Sequence, residues 1–296
     1  MKIGKYRHPF IFYGIAVLVP WALWFAAGAI SHSHLWDTRA WMVFGSILVS
    51  IGGFVPMAIA FILILPDKEM RDELKTACIK FKGFHWKWWA FHLLFPTGSI
   101  LLAMAISLLF GYSPGQFRLN VNLNFSGIGL IPAWIVMFVA PIIEEFGWHT
   151  YGIHCVRRKF SLFATCFVFG AIWGIWHIPL STIKGSYQNV VADSGIIHSI
   201  NYLVSLVPYL IIDNWAYYKT RHLMFFQVIF HLLMGFSNEI FQTHPDSKII
   251  QTVLLCIFSL VIVIKEKRYF FNKTFEEEPG KNPVQNHKEA MEGQNA

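Results

Sequence analysis

Apolar residues in this chain come in runs too long for the faces of a globular core. Eight such runs follow one another: Phe10–Ile30, Trp41–Leu65, Trp88–Phe110, Ile128–Cys155, Leu162–Ser181, Ile200–Tyr217, Leu223–Phe241 and Ile249–Ile264. A helix needs about 20 apolar residues to cross the hydrocarbon core of a bilayer, so the pattern predicts an all-α polytopic membrane protein with about eight transmembrane helices. The first run is too long for a signal peptide and is followed by further spans, so it reads as a retained helix.

Charge tests that count. The chain carries 24 lysines and arginines, and none falls inside a run. Twenty lie in alternate gaps together with the two ends, while the intervening gaps hold only Arg39, Arg118, Lys184 and Lys248. Basic residues stay on the cytoplasmic side, so both termini are expected there, in a multi-pass cell-membrane protein of the bacterial plasma-membrane type. A wrong number of spans would scramble the alternation.

Composition agrees: 55% of residues are hydrophobic and 14% charged, well below the roughly 25% charged content of soluble domains. The net charge of +7 could suggest nucleic acid, but its placement between spans points to the lipid bilayer instead, and no nucleic-acid partner is expected. The four cysteines show neither paired spacing nor a CxxC, so no disulfide framework or cysteine metal site is indicated.

Three regions follow. Residues 1–127 hold three generic spans and an amphipathic segment near 66–81, where Met70, Leu74, Cys78 and Phe81 recur at helical spacing among charges and suit an interfacial helix. Residues 128–266 form a core rich in intramembrane polar groups. Residues 267–296 read as a disordered cytoplasmic tail.

Ionisable groups inside spans are costly and mark function. Glu144, Glu145 and His149 lie in the fourth run, His177 ends the fifth, Asp213 and Asn214 lie in the sixth, and His231, Asn238 and Glu239 in the seventh. Counted back from the basic ends at about 1.5 Å per residue, Glu144, His177 and His231 fall roughly 20, 25 and 15 Å deep, in one layer within about a turn. Carboxylates and imidazoles at one level can activate a water, and two histidines with a carboxylate also suit zinc, here with Glu144, His177 and His231 as the candidate ligands. Asp213 and Glu239 read as hydrogen-bond partners, and Gly170 with Gly174 as a site of close helix approach.

The stretch from Glu144 and Glu145 to His149 resembles the EExxxR motif of the CAAX protease and bacteriocin-processing intramembrane protease family. Trp173 with His177 is similar to its second motif, and the approach to His231 to its third. The resemblance implies an intramembrane endopeptidase acting on membrane-associated peptides or proteins. In it Glu144 would be the water-activating base, Glu145 its partner, and His177 and His231 the groups that hold water or metal and stabilise the oxyanion. Zinc is an expectation of the same kind. Two positions depart from the family: His149 replaces the arginine, and Gly235 replaces the Asn or Asp of motif three. Glu145 could hold a proton on His149, and Asn238 or Asn214 could supply the missing amide. The alternative is a catalytically decayed member that binds peptides as an immunity or regulatory protein.

Overall fold

A computed structural model describes residues 3–79 and 85–272, and nearly all of them are helical. Helices α1 (Pro9–Ser31), α2 (Arg39–Ile64), α3 (Lys68–Ile79) and α4 (Trp86–Ser107) make up the first part of the chain. A two-residue antiparallel hairpin, β1 (Gly127–Ile128) with β2 (Ile131–Pro132), then leads into α5 (Ala133–Gly147). A π turn (Trp148–Gly152) joins α5 to α6 (Ile153–Arg157). The remainder is α7 (Leu162–His177), α8 (Tyr187–Asp193), α9 (Ile196–Lys219), α10 (Met224–Ile240), α11 (Pro245–Lys265) and α12 (Lys267–Phe271).

By length and composition, six helical stretches suffice to cross a membrane: Pro9–Ser31, Arg39–Ile64, Trp86–Phe110, Leu162–Thr182, Ile196–Lys219 and Pro245–Lys265. The protein is therefore a multi-pass, nearly all-α membrane protein. The other two expected spans differ from the sequence reading. Helix α10 is apolar but only 17 residues long. The fourth run was expected as one helix from Ile128 to Cys155, yet it opens with the hairpin and is interrupted by the π turn. The hairpin forms because Gly127 and Gly129 sit at φ of 110° and 58°, which side chains with a Cβ rarely adopt.

Large apolar side chains cover the outside of these helices, with Phe10, Leu94 and Ile62 all more than 60% exposed. In water such a surface would aggregate; against lipid tails it is solvated. Five long helices carry an internal proline, at Pro20, Pro56, Pro96, Pro141 and Pro208. At the end of α7, Pro179 has no amide to offer the carbonyl of Ile175, which accepts from Ile178 N–H and from Trp21 Nε1 at 3.2 Å. The chain tightens into a 3₁₀ turn over Ile178–Thr182.

Small residues set the closest packing. A Cβ on Gly147 would come within 2.7 Å of the Pro56 backbone, so α5 lies directly on α2. Gly170 and Gly174 face Leu210 and Leu203 of α9, the close approach expected of that pair.

Helix α3 occupies most of the amphipathic segment, and Lys5 ties the start of the chain to it through Glu73 at 2.8 Å. Phe81 and residues 273–296 lie outside the described residues. The tail expected from residue 267 begins as helix α12, with Phe270 fully buried, because that ring packs into the main core. All four cysteines are free thiols.

Candidate active site

The polar groups of the second half meet at a cavity of about 410 Å³ between α5, α7, α9, α10 and α11. Glu144, Trp173, His177 and His231 all contribute to its lining. That volume lies within the range of small-ligand pockets, and most of its walls are apolar.

Trp173 organises two of the groups at once. Its indole Nε1–H donates to Glu144 Oε2 at 3.0 Å. Its backbone carbonyl, one turn before His177, accepts from His177 Nδ1 at 2.7 Å. A carbonyl can only accept, so Nδ1 carries the proton and Nε2 keeps its lone pair. That nitrogen lies 3.9 Å from Glu144 Oε2, too far for a direct bond and suited to a shared water. The spacing of an aromatic residue and a histidine four later thus has a physical reason: one residue fixes both the carboxylate and the imidazole.

Glu145 turns away from Glu144 to a second set of partners. Its Oε1 accepts from His231 Nδ1 at 2.6 Å, and its Oε2 lies 2.5 Å from His149 Nδ1. His149 Nε2 in turn lies 3.4 Å from Asp213 Oδ2 and 3.3 Å from Gln227 Nε2, and Gln227 also bonds Asp213. Tyr217 donates to the His149 carbonyl at 3.1 Å, just where the π turn begins. His231, Glu145, His149 and Asp213 therefore alternate basic and acidic groups along one buried chain. Glu145, His149, Asp213 and Gln227 are all at most 2% exposed, so each relies on its neighbour for what water would otherwise supply.

Glu144, Glu145, His149, His177 and His231 are therefore brought together, as the shared layer suggested. Asn238 lines the cavity one turn from Gly235, and its Nδ2 donates to Met234 O at 2.8 Å. Asn214 does not: it is fully buried against its own helix, donating to Leu210 O at 2.9 Å, and is not part of the cavity wall. Its candidacy as the missing amide is corrected accordingly, because α9 turns that face toward α7 and Cys166 rather than toward α10. Gln227 was missed. No motif spacing marks it, and its only signal was an amide one helical turn before His231. Glu239 pairs with Lys248 at 2.6 Å, in keeping with a partner role.

A zinc ion bound at about 2.0–2.1 Å holds its ligands roughly 3.3 Å apart. Glu144 Oε2 and His177 Nε2 are wider than that, and this oxygen already accepts from Trp173. Among the described residues no three His, Cys, Asp or Glu are gathered so as to hold a metal ion. The expected trio of Glu144, His177 and His231 does not fit zinc as arranged.

Residues 125–237 match the family model described as type II CAAX prenyl endopeptidase Rce1-like. The match spans the glutamate pair, both cavity histidines and Gly235, and ends one residue before Asn238. The chain is also similar to CAAX prenyl protease 2 of Methanococcus maripaludis, with 28% identity over 92% of this chain and 99% of that protein. The segment that carries the glutamate pair and both cavity histidines is thus similar to the CAAX prenyl endopeptidase family.

Proposed function

We propose that this protein is an intramembrane endopeptidase that hydrolyses membrane-associated peptides or proteins with Glu144 as the general base. The observation that carries the reading is the water-sized gap between Glu144 Oε2 and His177 Nε2, with the orientation of both groups fixed by Trp173. A water there is polarised by the imidazole lone pair and gives its proton to Glu144 as its oxygen attacks the scissile carbonyl carbon. The C–N bond then breaks, and Glu144 passes that proton to the departing amine. One water is consumed and the carboxylate is restored.

His231 supports the same step. Glu145 holds its Nδ1–H and supplies a counter-charge, so the ring can present Nε2–H to the oxyanion that forms on the carbonyl oxygen. His149 and Asp213 keep Glu145 from swinging toward Glu144. His149 thus stands in for the family arginine, with Asp213 and Gln227 occupying its far nitrogen.

The curated relative is named a CAAX prenyl protease, which brings a prenylated, membrane-associated protein into the substrate class. The second reading, a peptide-binding regulatory protein that has lost turnover, is favoured by one observation: Gly235 offers no side chain where the family has an amide. Purified protein in lipid, incubated with a fluorogenic membrane-anchored peptide, decides between them. Cleavage by the parent that is lost in Glu144→Gln supports hydrolysis. Binding without cleavage by either supports the regulatory reading.

A further inference from the structure

One face of α9 contributes Tyr202, Ser205, Leu206 and Tyr209 to the cavity wall, at the spacing of successive helical turns. Tyr209 lies one turn before Asp213 and is only 6% exposed. Among the described residues it is the only tyrosine whose buried hydroxyl has no hydrogen-bond partner. Other buried tyrosines are satisfied: Tyr217 donates to His149 O at 3.1 Å, and the Tyr218 hydroxyl bonds His154 Nδ1 at 3.2 Å. A phenol ring packs well among apolar groups, but its O–H normally finds a partner when buried. An unsatisfied donor costs stability that a phenylalanine at the same position would not.

Three neighbouring rings hold the phenol in place. It stacks on Phe230 with centres 5.9 Å apart, and lies beside Trp173 at 5.9 Å and His231 at 6.2 Å. Trp173 also meets the His231 ring edge-on at 5.4 Å. The indole that orients Glu144 and His177 therefore touches His231 and Tyr209 as well, so four polar groups are referenced to one side chain. On α10, the residue one turn after His231 is Gly235, which lines the cavity without a side chain. Tyr209 enters the same cavity wall from the neighbouring helix.

We infer that Tyr209 is a catalytic residue: its phenol O–H donates to the carbonyl oxygen of the bound peptide and stabilises the negative charge that gathers there, beside His231 and in place of the amide absent at Gly235. As the water oxygen attacks, the C=O π electrons move onto that oxygen and the hydrogen bond from Tyr209 strengthens, while the proton stays on the phenol. When the C–N bond breaks, the electron pair returns to the carbonyl and the donor is left unchanged. A fixed donor of this kind acts most strongly where water is excluded, and the Tyr209 hydroxyl is buried. The inference rests on the endopeptidase reading for the reaction itself, but the preference of the hydroxyl for an anionic oxygen is measurable without turnover.

Tyr209→Phe keeps the ring contacts and removes only the O–H. In purified full-length protein in lipid, kcat on the membrane-anchored peptide should fall by about 10²-fold, with KM within about threefold. The melting temperature should hold or rise, because the fold loses no hydrogen bond. A rate within about threefold of the parent overturns the inference. So does a lowered melting temperature or a variant that fails to accumulate, since either makes the hydroxyl a structural partner. The second readout is affinity for a non-cleavable peptide phosphinate, whose anionic oxygen stands where the oxyanion forms. Tyr209→Phe should bind it about tenfold more weakly than the parent does. The amide peptide, measured in the Glu144→Gln background with and without Tyr209→Phe, should bind equally. Equal phosphinate affinity in parent and variant, or a loss for the amide peptide as large as for the phosphinate, overturns the inference. If Tyr209→Phe cleaves normally while Glu144→Gln does not, the donor falls and the endopeptidase reading stands. If the parent never cleaves, yet its phosphinate affinity depends on Tyr209, the donor stands and the endopeptidase reading falls.

Discussion

His92 in the first half of the chain and His177 in the second begin from the same local arrangement. Each is a buried imidazole in a membrane helix whose Nδ1 bonds the carbonyl of a tryptophan four residues earlier, Trp88 or Trp173, at 2.7 Å. They part at the other nitrogen. His92 lies flat on Phe226, with ring centres 4.4 Å apart and planes within 19°, and its Nε2 has no hydrogen-bonding partner. His177 presents Nε2 to Glu144 and the cavity. A buried histidine is therefore no sign of chemistry by itself. What decides is whether the nitrogen not used for anchoring faces a reactive partner or a packed ring.

Breaking the partner rather than the anchor should have the largest effect. Glu144→Gln preserves shape and removes the base, so turnover should fall by about 10²–10⁴ while the protein still accumulates in membranes. Normal cleavage by this variant would end the catalytic assignment. His177→Ala should approach that loss, whereas His92→Phe should keep cleavage within about threefold, since it extends a ring stack and removes no reacting group. Equal damage from both histidine variants, measured as peptide cleavage per amount of folded protein, would erase the contrast.

Smaller effects are expected one layer further out. Asp213→Ala leaves His149 and Gln227 facing an empty position in a buried network, and removing one partner of such a pair typically costs about 3–5 kcal/mol. Its melting temperature in detergent should fall, and cleavage with it. His149→Arg should be tolerated, because a guanidinium can reach both Glu145 and Asp213; an inactive but folded His149→Arg would break the account of the substitution. Gly235→Asn should act in the opposite direction. A Cβ there meets only Met137 Sδ at 3.4 Å, so the side chain fits, and the added amide should raise cleavage by up to about tenfold if an oxyanion donor is missing. A fall in rate with unchanged stability would show that the open space itself is required by substrate.

Much of this site could be read from residue order, because intramembrane ionisable groups are rare and depth can be counted from basic ends. Glu144, His177 and His231 converge as their spacing suggested. What escaped was anything that depends on rotation about a helix axis. Asn214 and Asp213 are adjacent in α9, yet Asp213 joins the His149 network while Asn214 turns toward α7. An uncertainty of one residue in facing is about 100°, enough to exchange them. Gln227 escaped for the same reason. The hairpin at Gly127–Pro132 was hidden by its own composition: Ile128, Leu130 and Ile131 read as the start of a span, and only the paired glycines signalled otherwise. The π turn left no composition trace, since its extra residue per turn comes from packing around Trp148 and Tyr151, both 1% exposed.

Helix α10 has a consequence that concerns the lipid rather than the protein. Its 17 residues rise only about 25 Å, some 5 Å less than a typical hydrocarbon core. Where a span is too short, the surrounding bilayer thins to meet it, at a fraction of a kcal/mol per Å. Such a dimple beside the helix that carries His231 would shorten the path from the headgroup region to the cavity. Under the endopeptidase reading, turnover in vesicles should then decline as the lipids are lengthened, with no change to any amino acid.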